Sequence, residues 1–408
     1  MKGLVTSVGL SILVLACPSA LAQAGYSVPH TPWGAPDFQG VWTNSSITKL
    51  TRPAGVDHLV LTPEEVAKIE AKDFNNARTA AEKLPTDQSL GAPIAGKSIP
   101  NIGNYNAVWV DPGSKVAVVK GEYRSSFIID PPNGKVPISE AGRKKLATWR
   151  PDAGRDAAMA EAGKAKGKAP AKKVAAVKGK AAPANKKVEK AAAADPKAFV
   201  DLVEAPRGGG EGGGSGNGSR GYLGPESRGS GERCITMSGG PVMLSGLYNN
   251  NFQIVQTPDF VILEVEMIHD TRTVRLVKSA ADAEKAHRPA IMERWLGDSV
   301  GWYEGNTLVI ETKNFNRQQQ GQVTITDTGK LTERITRVSD TDILYEFTVD
   351  DPGVYSQVWK GEAQWRFNPN PIYEYACHEG NYGLYNILSG AREQERTGKK
   401  LETTATEE

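Results

Sequence analysis

The chain has 408 residues, and its 49 basic side chains nearly balance its 47 acidic ones, which leaves a formal net charge of +2. Much of the lysine lies between residues 152 and 232, so the remainder is acidic and offers no surface suited to nucleic acid. After the N-terminal segment, no run reaches the roughly 18 continuous apolar residues that a membrane-spanning helix needs, which excludes a transmembrane segment of that kind.

The N-terminal segment has the features of a secretory signal peptide. An apolar run over 4–16 follows a charged residue, and the small residues Ala20 and Ala22 occupy the two positions that a signal peptidase reads. We therefore predict a signal peptide over residues 1–22 and a periplasmic or secreted mature protein. The alternative is a lipoprotein, because Cys17 follows a loose lipobox, but that motif fits less well than the site after Ala22.

The first part of the mature chain, residues 23–151, mixes strand and helix signals. Thr62, Pro63 and Glu65 have the spacing of an N-cap, a first helical residue and a capping-box partner, so they predict the start of a helix. We place this part in the same β domain as the later strands. Its predicted elements are a strand at 37–50, a helix at 62–83, strands at 105–110 and 115–130, and a short helix at 138–148.

Residues 152–232 differ in composition from the rest of the chain. Their first half is rich in Ala, Lys and Pro, their second half is rich in Gly, and few large apolar residues are available to bury. Ordering such a segment costs conformational entropy without compensating burial, so we predict a disordered insert. The Lys-rich half has two interpretations, a solvated tether or a weak contact with the cell envelope. A loose polar tail is predicted over 397–408.

Short strands separated by turn signals dominate residues 233–396. Such regular spacing indicates a meander sheet, a sandwich or a barrel. We therefore predict a mainly β fold, namely an antiparallel lipocalin-like barrel or a twisted sandwich with a few peripheral helices and the disordered insert. The predicted strands are 252–257, 260–269, 271–277, 300–304, 306–312, 321–326, 331–338, 342–350, 355–367 and 372–377, and a C-terminal helix follows at 381–396.

One face of the last strands is unusually aromatic. Alternation places Tyr355, Trp359, Trp365 and Phe367 on the same side of their strand. The rings either fill a core or line a pocket for a small apolar or aromatic molecule. The Asn run at 249–251 either forms a turn or presents amide groups to that ligand. The residues that we assign to ligand binding are Trp42, Tyr248, Asn250, Arg294, Trp295, Trp359 and Trp365.

Two cysteines remain after the predicted cleavage, Cys234 and Cys377. In an oxidising compartment such a pair favours a single disulfide, and these two residues bracket the C-terminal block of strands. The alternative is two unrelated buried thiols.

Two of the five histidines stand where they could act chemically. His269 ends a predicted strand on its inward face, and His378 follows the last predicted strand. An imidazole titrates near neutral pH and can serve as a general acid or base. The alternative is that both histidines are structural. The residues that we assign to this acid–base site are His269, Asp270, Arg272, Glu374, His378 and Glu379.

No cofactor or metal is predicted. His269, His378 and a carboxylate would form a two-His-one-carboxylate set, but the two histidines lie more than one hundred residues apart and lack helical spacing. The chain also has no Gly-x-Ser-x-Gly elbow, no phosphate loop and no dinucleotide-binding fingerprint.

Several segments resemble known proteins. The motif FQGVW at 38–42 resembles the Gly-x-Trp opening of lipocalin-like barrels. Longer segments resemble a family of uncharacterised exported bacterial proteins common in soil and water, and the resemblance extends over about 36–150 and 233–395. It implies export and a shared β fold, and it implies no activity. These segments are LYNNNFQIVQTP (247–258), EMIHDTR (266–272), RWLGDS (294–299), WYEGNTLVIET (302–312) and YEYACHEGNY (373–382).

The sequence thus leads to three hypotheses about function. The first is an exported barrel that binds a small apolar or aromatic molecule. The second is a cofactor-independent lyase, isomerase or hydrolase in which His269 and His378 act as acid and base. The third is a structural protein of the cell envelope.

Overall fold

The computed structural model describes residues 26–73, 76, 86–87, 92–93, 113–149, 229–237, 240, 242–246, 248–316 and 322–397. The predicted signal peptide, the predicted strand at 105–110, the insert up to residue 228 and the tail after residue 397 lie outside these ranges.

Within the described residues, most of the regular structure is β. The helices are α1 (Pro63–Lys72), α2 (Glu140–Trp149), α3 (Ala280–Ala286) and α4 (Tyr382–Thr397). The strands are β1 (Gly40–Thr43), β2 (Thr86–Asp87), β3 (Ala92–Pro93), β4 (Val118–Val119), β5 (Glu122–Tyr123), β6 (Ile128–Asp130), β7 (Asn251–Gln256), β8 (Phe260–Val265), β9 (Thr271–Leu276), β10 (Asp298–Glu304), β11 (Thr307–Lys313), β12 (Lys330–Arg337), β13 (Asp342–Asp350) and β14 (Trp359–Phe367).

Nine strands close into a barrel in the order β1-β7-β8-β9-β10-β11-β12-β13-β14, and β1 pairs with both β7 and β14. Closure leaves these strands without an exposed edge. β6 pairs with β14 as an additional strand. The predicted mainly β fold is confirmed, and of its two predicted forms the barrel is the one observed.

One pair in the barrel departs from the predicted antiparallel arrangement. β9 and β10 are parallel, because the connection that contains α3 carries the chain back to the end at which β9 begins. The outer face of β10 and β11 packs against this connection through a small apolar cluster that includes Ala283, Val300 and Trp302.

Several predicted strands are shorter or absent. Residues 322–326 form no strand, since Asp351 accepts hydrogen bonds from the backbone and hydroxyl of Thr326. Residues 372–377 also form none, and their end is held by a disulfide at Cys377. The predicted strand 115–130 is broken by a tight turn at Lys120 and Gly121, which both have positive φ.

Two further predicted strands have different bounds. The predicted strand 260–269 ends at Val265, because residues 267–269 form a 3₁₀ turn. The predicted strand 355–367 begins only at Trp359. The predicted start of α1 is confirmed, since Thr62 and Glu65 form the expected capping box.

The two ends of the barrel differ in their connections. At one end, which we call the turn end, the links are short: 257–259, 305–306 and 338–341. At the other, which we call the loop end, the links are 44–250, 266–270, 314–329 and 351–358. Binding and catalytic residues are found disproportionately on long connections held by a rigid scaffold, so the loop end is the place to look for a site.

Candidate functional site

A short segment of irregular chain lies inside the core of the barrel. Val242, Met243 and Leu244 are buried in the same apolar core as the inward faces of the strands, and Met243 is only 1% exposed. We call residues 242–246 the plug segment. Because it is neither a strand nor a helix, its backbone polar groups need partners from elsewhere.

The aromatic residues of β13 and β14 surround this segment and contact one another. Tyr345 stacks on Trp365 with ring centroids 4.3 Å apart, and Phe252 meets Trp365 edge-on at 4.7 Å. Nearer the loop end of the same two strands, Phe347 packs edge-on against Trp359 at 5.8 Å. The inward face of β13 and β14 is therefore a continuous block of rings.

A charged pair lies inside this apolar block. Arg272 of β9 donates from Nη1 and Nη2 to the two carboxylate oxygens of Glu333 of β12, at 2.7 and 3.0 Å. The two residues are 2% and 0% exposed. Tyr345 donates its hydroxyl proton to Glu333 at 2.8 Å. This buried trio is the feature of the interior that apolar packing does not require.

The environment fixes the protonation states of Tyr345 and Arg272. Burial, together with the adjacent Glu333 carboxylate, holds the pKa of Tyr345 well above its ordinary value. Burial alone would lower the pKa of Arg272, but Glu333 outweighs it and the pKa lies above the ordinary value. Tyr345 is therefore a neutral hydroxyl, and Arg272 is a fixed cation.

Met243 of the plug segment makes three contacts with the groups of the interior. Its backbone N–H donates to Tyr345 Oη at 3.3 Å, and its carbonyl accepts from Trp365 Nε1 at 3.4 Å. Its sulfur lies 3.6 Å from Arg272 Nη2. Among the described residues, Arg272 Nε has no hydrogen-bond partner. The interior thus binds a piece of its own chain through one donor, one acceptor and a thioether.

A loop outside the barrel holds the chain that leads into the plug segment. We call residues 229–237 the latch loop. Thr236 Oγ1 and the Met237 N–H both donate to the Asp270 carboxylate. The predicted disulfide is confirmed, since Cys234 is bonded to Cys377. Asp270 and the disulfide therefore fix the latch loop at two points.

The strands next to the latch loop are joined by a strained turn. Ile268 and His269 have φ values of 60° and 52°, which a β-branched residue such as isoleucine rarely adopts. Glu266 stabilises the base of this turn, where its two oxygens accept from the side chains of Asn249 and Asn251. Two of the three Asn side chains of the run are thus bonded to Glu266, and Asn251 is the first residue of β7.

The remaining predicted ligand-binding residues fall in different places. Asn250 is bonded to the backbone of Gly246 at the end of the plug segment. Trp42 is fully buried and donates to the carbonyl of Phe38, and Arg337 lies over its ring at 5.5 Å. Of the other predicted binding residues, Tyr248 and Trp295 are half-buried and Arg294 is exposed.

Some of the proposed acid–base residues are buried, and the others are half-buried or exposed. Arg272 is committed to Glu333 in the core, and Asp270 is committed to the latch loop. His269 is half-buried, whereas the remaining three predicted residues, Glu374, His378 and Glu379, are exposed. In the part of the chain that the structure describes, no hydrogen bond or ion pair joins His269 to His378, and no group of three ligands suited to a metal is present.

Sequence reasoning did not select two central residues of the site. Glu333 was detectable, because Leu331, Glu333 and Ile335 alternate onto one face and an acidic residue there must enter the core. Met243 carries no such signal, since it lies in a short stretch with neither strand nor helix periodicity.

A second ionic cluster lies on the outer face of β10 and β11. Asp298 accepts from Arg275, from His287 Nδ1 at 3.0 Å and from the Arg288 N–H. His287 Nε2 lies 3.3 Å from Glu311. The nearby His287 ring, joined by two lysines, lowers the pKa of Glu311 to about 2. The cluster binds the α3 connection to the barrel wall.

An open depression of about 340 Å³ lies at the loop end beside this cluster. Its lining includes Lys313, Lys330, Asp327 and Asp350. Both lysines already pair with Glu311. Such a polar, charged surface does not suit the apolar molecule that the sequence predicts.

Comparison with known proteins found no match: the chain matches no family model, no curated protein and no solved structure. The family resemblance of its segments therefore stays a prediction. Among the described helices, none is both long and apolar enough to cross a membrane.

Proposed function

We propose that this protein is an exported barrel that binds a small apolar or aromatic molecule in the periplasm. The ligand takes the place that the plug segment occupies in the core of this lipocalin-like barrel. The observation that carries the proposal is the buried trio of Arg272, Glu333 and Tyr345 beneath a segment that belongs to no strand.

A purely structural core gives little reason for such a trio. A buried ion pair contributes little or nothing to stability compared with apolar residues of the same volume, because desolvation offsets the attraction. Ligand pockets, by contrast, combine apolar and aromatic walls with a few placed polar groups. Tyr345, Trp365 and Phe252 supply the walls, and the trio supplies the polar groups.

The plug segment sets the energetic condition for binding. Burial of Val242, Met243 and Leu244 opposes opening by about 1.5–3 kcal/mol for each side chain. A ligand must therefore bury a comparable apolar area and satisfy the same polar groups, since the closed form lowers its apparent affinity. This condition favours a compact apolar molecule that fills the vacated space.

The other two hypotheses have weaker support. The acid–base mechanism needs His269 and His378 at one pocket, whereas one is half-buried beside a strained turn and the other is exposed. An envelope role would rest on the Lys-rich insert, which lies outside the described residues. The disulfide is compatible with export to an oxidising compartment.

Native mass spectrometry of the full chain, purified from its own host, tests the proposal. We expect a small molecule to accompany part of the protein, and more of it to accompany a variant in which Val242, Met243 and Leu244 are glycine. A matched control replaces the exposed Ile291 and Met292 by glycine and should leave occupancy unchanged. If the host protein and the opened variant both have the bare mass, and neither binds N-phenyl-1-naphthylamine by fluorescence, the binding function is wrong.

A further inference from the structure

The contacts of Met243 define the chemistry of the ligand more narrowly. Resting on the proposed function, we propose that the ligand is a small neutral amide of the acylated amino acid type, with one N–H donor, one carbonyl acceptor and an unbranched apolar arm. In the structure, Met243 occupies the site and makes the contacts that this ligand would make.

The donor requirement follows from Tyr345. Its hydroxyl has a single proton, and that proton is donated to Glu333 at 2.8 Å. Only the acceptor lone pairs of Oη then remain for an occupant of the site. In the closed form the Met243 N–H uses them at 3.3 Å. A ligand that faces Tyr345 must therefore bring a hydrogen-bond donor.

The acceptor requirement follows from Trp365. An indole N–H donates and cannot accept, so its partner must be an acceptor. The Met243 carbonyl fills this role at 3.4 Å. The N–H and C=O of a single residue thus meet two different interior side chains, Tyr345 and Trp365. A secondary amide with a neighbouring carbonyl reproduces that pair.

The neutrality requirement follows from the ion pair. Glu333 balances the charge of Arg272 through two hydrogen bonds, at 2.7 and 3.0 Å. An anionic ligand would add an unbalanced charge to a dry interior, which is strongly unfavourable. The sulfur of Met243, a weak acceptor, lies 3.6 Å from Arg272 Nη2. A neutral arm that ends in a thioether or another weak acceptor suits this position.

Two matched probes test the inference on the full chain. The first is N-acetyl-L-methionine methylamide, and the second is its ester analogue, in which oxygen replaces the N–H of the acetylated residue. Both are titrated by calorimetry into the variant with glycine at 242, 243 and 244. We expect the amide to bind about 3- to 10-fold more tightly, the effect of one neutral hydrogen bond. Adding Tyr345→Phe to this variant should remove the difference, whereas adding Tyr373→Phe, at an exposed tyrosine, should preserve it.

The outcomes separate this inference from the proposed function. If the opened variant binds N-phenyl-1-naphthylamine but binds amide and ester equally, the amide assignment is overturned and apolar binding stands. If it binds none of the three probes, both are overturned.

A measurement on the wild-type chain decides the matter if the opened variant does not fold. Methionine is labelled with ¹³C at its methyl group, and the Met243 signal is assigned with Met243→Leu. Saturating amide should move that signal toward the value of an exposed methionine. A signal that stays in place with the amide overturns the inference.

Discussion

Breaking the buried ion pair from one side should be far more damaging than removing it altogether. We consider Glu333→Met, Arg272→Met and the double variant, because methionine is flexible enough to fill the vacated volume. In Glu333→Met the guanidinium of Arg272, only 2% exposed, stays in the core without a counter-charge. In Arg272→Met the carboxylate of Glu333 is stranded in the same way.

The magnitude follows from two opposing terms. At separations of 2.7 and 3.0 Å, and at an effective dielectric constant of about 20, the attraction amounts to about 6 kcal/mol. Desolvation of each ion costs several kcal/mol, so the net contribution of the pair is close to zero. Each single variant should therefore lose about 3–5 kcal/mol of unfolding free energy, and the double variant should lie within about 2 kcal/mol of the wild type.

Urea denaturation followed by tryptophan fluorescence measures these differences, with the slope of the transition checked for two-state behaviour. Glu140 and Lys144 of α2 provide a control pair, since both are exposed and lie 3.0 Å apart. Their removal should change stability by less than about 1 kcal/mol. If each single variant loses less than about 1 kcal/mol of unfolding free energy, the reasoning is refuted, because Arg272 and Glu333 would then not be a dry, charged pair.

Three further predictions concern other parts of the fold. Replacing both Cys234 and Cys377 by alanine removes a cross-link across 143 residues. The chain-entropy model gives a loss of up to about 5 kcal/mol of unfolding free energy, which should lower the urea midpoint. An unchanged midpoint contradicts this prediction. Thr62→Ala should cost about 1 kcal/mol, because the capping box of α1 is lost, and Thr62→Ser should restore most of it. The His287 ring, 3.3 Å away, and two lysines lower the pKa of Glu311 from 4.5 to about 2, so its contribution to the unfolding free energy is present above pH 4.5 and is lost as the pH falls toward 2. Glu311→Gln should remove this acid-labile part of the urea midpoint, and an identical acid profile in the two proteins would count against it.

The periodic elements of the fold could be predicted from the sequence. β7, β12 and β13 lie within about one residue of their predicted bounds, because alternation of apolar residues and the turn residues between strands are local signals. Barrel closure was only one of two predicted forms, since the pairing of β1 with β14 joins residues more than 300 positions apart. No local pattern specifies such a contact.

The candidate site could be predicted only in part. Alternation correctly placed Trp359 and Trp365 in the interior, but it could not distinguish a filled core from a lined pocket. It placed His269 on the inward face because it extended β8 through Val265 into a turn with positive φ. The strand broke there because Glu266 and Asp270 bind neighbouring segments, and such tertiary contacts override a local period.

The turn at residues 268–269 holds two consecutive residues in the left-handed region. Backbone in the left-handed region costs about 1–3 kcal/mol for each such residue, and it persists only where surrounding contacts over-determine it. Here the contacts are those of Glu266 with the Asn run and of Asp270 with the latch loop. Under the proposed function, release of the latch loop from Asp270 would let this turn relax, and the strain would offset part of the free energy needed to displace the plug segment.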